Sequence, residues 1–97
     1  MRCLALAQAW HMPITPHVWG SGIGLAASLQ FLATLAPAPL ALEPIEPMLE
    51  YDQSAHPFRQ ELIFGAITMQ GGRVEIPTGP GLGVDVNRDI IARYRLP

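Results

Sequence analysis

Ninety-seven residues allow at most one small domain, and a chain of this size buries only about two-thirds of its unfolded surface. The net charge of -2, with six arginines and no lysine, gives no basic field to draw a polyanion, which argues against a nucleic-acid partner. The single cysteine, Cys3, cannot form an internal disulfide; the chain reads as cytoplasmic, with Cys3 expected as a small buried side chain among apolar neighbours.

The N-terminal stretch "MRCLALAQAW" has a positive charge, an apolar run and an "AQA" that imitates a cleavage site. Its apolar run is very short and meets His11, Pro13 and Pro16 at once, which disfavours a signal peptide and suits the end of a helix over residues 2–10. Residues 12–16 suit a short buried strand, and residues 22–35 a second helix. The uncharged stretch from Val18 to Leu42 is long enough to span a bilayer. Gly20, Gly22 and Gly24 at one end and Pro37 and Pro39 at the other leave a helix of about 14 residues, too short for the hydrocarbon core, so no membrane partner is expected.

Within that helix Ser28, Gln30 and Thr34 are the only polar residues besides glycine, and only Gln30 and Thr34 share a face. Such a helix wants burial on nearly all sides, more than ninety-seven residues supply, so its partners are expected in further polypeptide or another subunit. The turn before it, "GSGIGL", fails the dinucleotide fingerprint: its third glycine comes one position early, and no acidic residue follows about 20 positions on. Three glycines can still let the chain leave a strand, pass close to something and present free helix N–H groups to an anion.

Charge is uneven. Before Glu43 only Arg2 is charged; from Glu43 onward stand eight acidic residues and five arginines. Pro44 and Pro47 predict an extended connection, and "MLEY" the next strand, completing a parallel βαβ alternation. "AITMQGGRVEIP" predicts a hairpin turning at Gly71 and Gly72, "GPGLGV" a loop, and "NRDIIARYR" a final helix with Asn87 as N-cap and Asp89 in the first turn.

His17 stands where the first strand is expected to end, and Glu50 and Asp52 where the next one ends. In parallel α/β barrels the C-terminal strand ends build the active site, which makes His17 a candidate acid/base. A hydrogen-bonded structural histidine is the competing reading. His56, ahead of Pro57, reads as a solvated loop residue, and His11 matches no motif.

Together "PHVWGSGIGLAASLQFLATL", "PMLEYD" and "GGRVEIPTGPGLGVDV" resemble the C-terminal part of the mandelate racemase and muconate lactonizing enzyme family, within the enolase superfamily. A histidine ending the seventh barrel strand, a glutamate ending the eighth, and a Pro-Gly-Leu-Gly tail fall in the family's order. A histidine-bearing member resembles the mandelate racemase subgroup, which includes many acid sugar dehydratases. The resemblance implies an α/β fold class, the C-terminal fragment of a (β/α) barrel. Residues 1–53 would form the last two strands with their helix, and residues 54–97 a tail with hairpin and short helix packing towards a capping domain.

The implied activity is that of a dehydratase or racemase abstracting the proton α to the carboxylate of a sugar acid. His17 matches the catalytic acid/base, and Glu50 the residue that binds the substrate carboxylate; to donate a hydrogen bond the Glu50 carboxyl must carry its proton, which asks for a water-poor site. Mg2+ is implied for the complete enzyme, its ligands on earlier strands, and no residue here is assigned to the metal. The resemblance further implies a partner in the N-terminal part of the same enzyme and a homo-oligomer when complete. The chain alone is expected to be inactive. The alternative is a truncated, noncatalytic fragment or interaction piece.

Overall fold

The computed structural model describes residues 2–37, 43 and 45–97. Helix α1 (Arg2–Ala9) leads into β1 (His17–Val18), α2 (Gly22–Leu32) and β2 (Glu50–Tyr51); α3 (Pro57–Gln60), β3 (Ile63–Phe64), β4 (Met69–Gln70), β5 (Arg73–Val74), β6 (Asp85–Val86) and α4 (Arg88–Arg93) follow. The expected end of the apolar stretch at Pro39 and Leu42, and the connection through Pro44, lie outside the described residues.

β1 and β2 are parallel and adjacent, with His17 opposite Glu50 and Val18 opposite Tyr51, and α2 is the helix between them in sequence. This is the βαβ unit that the alternation of the sequence predicts. Its first strand is displaced from expectation: the ladder occupies His17–Val18, not residues 12–16. Pro13 and Pro16 have no N–H to donate. Pro16 enters through its carbonyl alone, accepting from the Glu50 N–H at 3.0 Å, and regular pairing starts at the next residue that keeps both groups.

Side chains alternate across a strand, and the pairing separates two faces. Val18 and Tyr51 turn towards α2 and pack on its buried Leu25, Leu29 and Leu32, joined by Leu35, Leu49, Ile67 and Val74. Leu25, Leu29 and Leu32 recur at helical spacing and make one apolar stripe. The helix is not covered all round, since Ala27 and Ala33 are exposed. Helix α1 buries no residue at all, so Cys3 is exposed, contrary to the expectation of burial. The two-stranded sheet carries α2 on one face, and no second layer among the described residues covers α1.

Two further pairs shape the C-terminal half. β4 and β5 form the predicted hairpin, with Gly71 and Gly72 at φ 56° and 77°, the positive values a tight hairpin turn requires at both central residues. β3 pairs antiparallel with β6, a contact no local pattern announces. Asn87 caps α4 as predicted, its side chain accepting from the Asp89 N–H at 3.2 Å, while its own N–H donates to the Leu62 carbonyl at 2.8 Å.

Gln30, one of two half-buried polar residues of α2, has a specific use. Gln30 Nε2 donates to the Pro77 carbonyl at 2.6 Å and reaches the Leu82 carbonyl at 3.4 Å, holding the Pro-Gly-Leu-Gly tail against the helix. Gly83, at φ 76°, completes that turn; a Cβ there would lie 2.8 Å from the Pro77 carbonyl carbon. Gly22 serves a close approach of another kind. A Cβ on it would meet the Arg59 carbonyl oxygen and Ile63 Cδ1, both at 2.9 Å, so α2 starts in direct backbone contact with α3. Gly22→Ala gains at most about 1 kcal/mol in helix propensity and costs about 1–3 kcal/mol in overpacking, because the facing oxygen belongs to the backbone and cannot swing aside. The expected outcome is a lower urea unfolding midpoint.

Candidate functional site

The β1–β2 register places the two ionisable residues side by side, although each opens its two-residue strand where the sequence placed it at the strand's end. His17 Nδ1 and Glu50 Oε2 are 2.8 Å apart, on the sheet face away from α2. An Nδ1–H donating to the carboxylate leaves the lone pair of a neutral imidazole on Nε2, where a base can use it. Both side chains are open to solvent, 65% and 62% exposed, so a water-poor setting for Glu50 is not made by the described residues. A contact so exposed is worth only about 0–1 kcal/mol, and either partner can exchange it for a ligand at little cost. The two groups are closer than an arrangement with substrate between them requires.

Asp52, the second carboxylate expected near the strand end, is used elsewhere. Its Oδ1 accepts from the Ser54 N–H at 2.9 Å, its Oδ2 accepts from the Ser54 hydroxyl at 2.8 Å, and Arg59 Nη1 donates to both Oδ2 and the Asp52 carbonyl, the latter at 2.8 Å. Arg59 is only 7% exposed. The backbone and hydroxyl donors of Ser54, reinforced by Arg59, hold the Asp52 carboxyl down at about 2. This cluster ties the segment leaving Glu50 to α3, and through the Arg59 carbonyl to the start of α2. "DQS" is a legible turn signal; nothing in "HPFRQ" shows that its arginine is buried.

The glycine turn after His17 divides its work. Gly20 adopts φ 148°, open to glycine, and Gly22 makes the contact with Arg59. Ser21 caps α2, its hydroxyl accepting from the Gly24 N–H at 3.2 Å, so one of the free helix N–H groups expected to face an anion is satisfied internally. His56 is half-buried instead of solvated: its ring lies 5.9 Å from that of Trp19 and 5.9 Å from that of Phe58. Two aromatic neighbours pull an imidazole out of water more effectively than its loop position suggests. His11 ends α1 in the left-handed region, at φ 53°, exposed and away from the pair.

The description of one protein family, enolase C-terminal domain-like, matches residues 1–90. The chain belongs to this family. Its fold is that of the C-terminal part of the barrel domain, as the three sequence motifs imply. Among curated relatives, a D-galactarolactone cycloisomerase from Agrobacterium fabrum is 45% identical over 92 residues, 95% of this chain and 24% of the relative. A D-xylonate dehydratase from Haloferax volcanii is 33% identical over 92% of this chain and 20% of the relative. A D-gluconate dehydratase from Thermoproteus tenax is 30% identical over 98% of this chain and 18% of the relative. The crystal structure of a 3,6-anhydro-D-galactonate cycloisomerase from Zobellia galactanivorans superposes with a TM-score of 0.75 at 31% identity, covering 96% of this chain and 24% of that one. The chain thus spans about a quarter or less of the length of these relatives.

Enolase superfamily membership suggests a divalent metal. The described residues gather no group of three or more His, Cys, Asp or Glu that could hold one. His17 and Glu50 offer two donors and are bonded to each other, fewer than the oxygen-rich shell magnesium takes. The described residues therefore do not fit a magnesium centre, and no chemical step is assigned to the metal. Among them, too, no helix is long and apolar enough to cross a membrane.

Asp52 gives the site a pH signature. Its carboxyl is at about 2 when folded against an ordinary 3.8, a depressed value, so its stabilising contribution is complete above pH 4 and is lost as pH falls through 2. Asp52→Asn is expected to lower the unfolding midpoint at pH 7 and to flatten its fall between pH 4 and 2. Urea titrations at a series of pH values test this; an unchanged slope in the variant would assign the acid loss to other groups.

Proposed function

We propose that this chain contributes the last two strands, with His17 and Glu50, to a barrel enzyme that abstracts the proton α to the carboxylate of a sugar acid. The observation that carries the reading is the 2.8 Å His17–Glu50 contact, on adjacent parallel strands and on the sheet face away from the helix. Relatives of two activities, cycloisomerase and sugar acid dehydratase, support the substrate class.

The steps follow from the groups present. His17 Nε2 takes the α proton, and the C–H electron pair moves into the carboxylate to give an enediolate. Collapse of that pair expels the oxygen on the β carbon, which takes the proton that the His17 imidazolium now carries, returning the imidazole to its neutral form. Loss of a hydroxyl is dehydration; loss of a ring oxygen opens a lactone or anhydro ring, the course the 45% identical relative favours for this chain. Glu50 takes up a proton from solvent as it gives up the bond from His17, and its O–H then donates to the substrate carboxylate. Residues 1–53 act as the barrel end in this reading. The tail over residues 54–97 packs towards a capping domain, and the remaining strands supply the metal carboxylates and exclude water from Glu50.

His17→Asn in the complete enzyme should cut turnover by about 10²-fold or more with a modest effect on KM, since a general base acts chiefly in the transition state. Steady-state kinetics on a sugar acid panel measures both. A variant retaining near-full turnover would make His17 a structural residue and remove the basis of the proposal.

A further inference from the structure

Val18 and Tyr51 face α2 and His17 lies on the opposite side of the short ladder; Trp19 follows directly after β1, two residues beyond His17. Trp19 is 68% exposed, a large apolar surface two residues along the chain from His17. A single exposed tryptophan needs no explanation in itself. What sets this one apart is its support. His56 meets it edge-on at 5.9 Å and 64°, Phe58 backs His56 at 5.9 Å and 52°, and Tyr94 backs Phe58 at 5.1 Å and 66°. Four rings thus run in series from the end of α4 to the end of β1. His56 Nδ1 is buried with no hydrogen-bond partner among the described residues, and what the ring gives Trp19 is an edge contact.

From this geometry we infer that Trp19 is the apolar wall of the His17–Glu50 site and that His56 is the positioning residue that holds it, an inference resting on the sugar acid reading of that site. The indole face carries negative charge density. It repels a carboxylate and attracts carbon-bound hydrogens made electropositive by neighbouring hydroxyls. The site then has two unlike sides: a hydrogen-bonding pair for the carboxylate and its α carbon, and a fixed aromatic plane for the hydroxylated chain beyond. Because the ring ladder holds the indole before a ligand arrives, little ordering entropy is lost on binding. Such a wall selects acids with a carbon chain long enough to lie across it over short hydroxy acids.

Kinetics of the complete enzyme with D-galactarolactone and D-gluconate test this, with D-lactate as a short competitor. Trp19→Ala should raise KM for the turned-over sugar acid about tenfold, with a smaller change in kcat, and should narrow its preference over D-lactate. Trp19→Phe should lose less. His56→Ala should raise KM in the same direction and His56→Phe should restore it, a rescue that a hydrogen-bonding or acid/base role of the imidazole would not permit. A wild-type KM and preference in Trp19→Ala, while His17→Asn remains inactive, would overturn the inference and leave the functional reading standing. Full turnover in His17→Asn, or none by the unaltered enzyme on either sugar acid, would overturn the reading and this inference together. Should Trp19→Ala fail to fold, equal KM values in Trp19→Phe, His56→Phe and the unaltered enzyme with a wild-type KM in His56→Ala would still count against it.

Discussion

The pairing of β1 with β2 is only two residues long on each side, and the arrangement of the site depends on its register. With His17 opposite Glu50, Val18 and Tyr51 point into the leucine stripe of α2 while the two polar residues point away from it. A slip by one residue would present His17 or Glu50 to Leu25, Leu29 and Leu32 and expose the apolar pair, an exchange costing the burial of a large side chain and the desolvation of an ionisable one. So short a ladder cannot hold its register by backbone hydrogen bonds alone. The apolar contacts of Val18 and Tyr51 hold it, and the acid/base pair follows.

Around that register the chain adds ties that work at a distance from the pair. Arg59 and Ser54 fix Asp52, two residues beyond Glu50, and the Arg59 carbonyl lies against Gly22 at the opening of the helix that follows His17. Both segments are therefore referred to one buried residue, Arg59, through its side chain and its carbonyl. Tyr51 extends the same logic into the tail, its hydroxyl donating to the Ile67 carbonyl at 2.9 Å, and Gln30 does so for the Pro77–Leu82 turn. Polar groups inside an otherwise apolar layer are stable only when bonded, so each of these contacts specifies one position of a loop that apolar packing alone would leave loosely placed.

The apolar surface left uncovered has a counterpart in the comparisons. Leu6, Trp10, Met12, Ile45 and Met48 are exposed on α1 and on the segments entering β1 and β2, and the relatives are about four times as long as the matched region or longer. A sheet of two strands has one helix layer and two open edges, and in a closed barrel those edges and that face would be occupied by neighbouring strands.

Periodicity and turn chemistry, both local properties, were legible from the residues alone. They located α1, α2, the glycine hairpin, the Asn87 cap and the βαβ order, and they put His17 and Glu50 on neighbouring strands, because 3.6- and 2-residue repeats and the needs of proline and glycine act over a few positions. What depended on distant partners was not legible. The start of β1 moved to His17 because Pro16 could offer only a carbonyl to a strand more than thirty residues away. Cys3 came out exposed because α1 is left without a covering layer, and His56 came out half-buried because Trp19 and Phe58 close on it from either side. Asp52 left the site for Arg59, and the His17–Glu50 distance became 2.8 Å, through contacts between segments that no spacing in the chain encodes. The sequence by itself determined which residues can do chemistry and on which elements they stand. Only the tertiary structure decided which of them meet, since that choice is made by the energies of packing and desolvation between segments far apart in the chain.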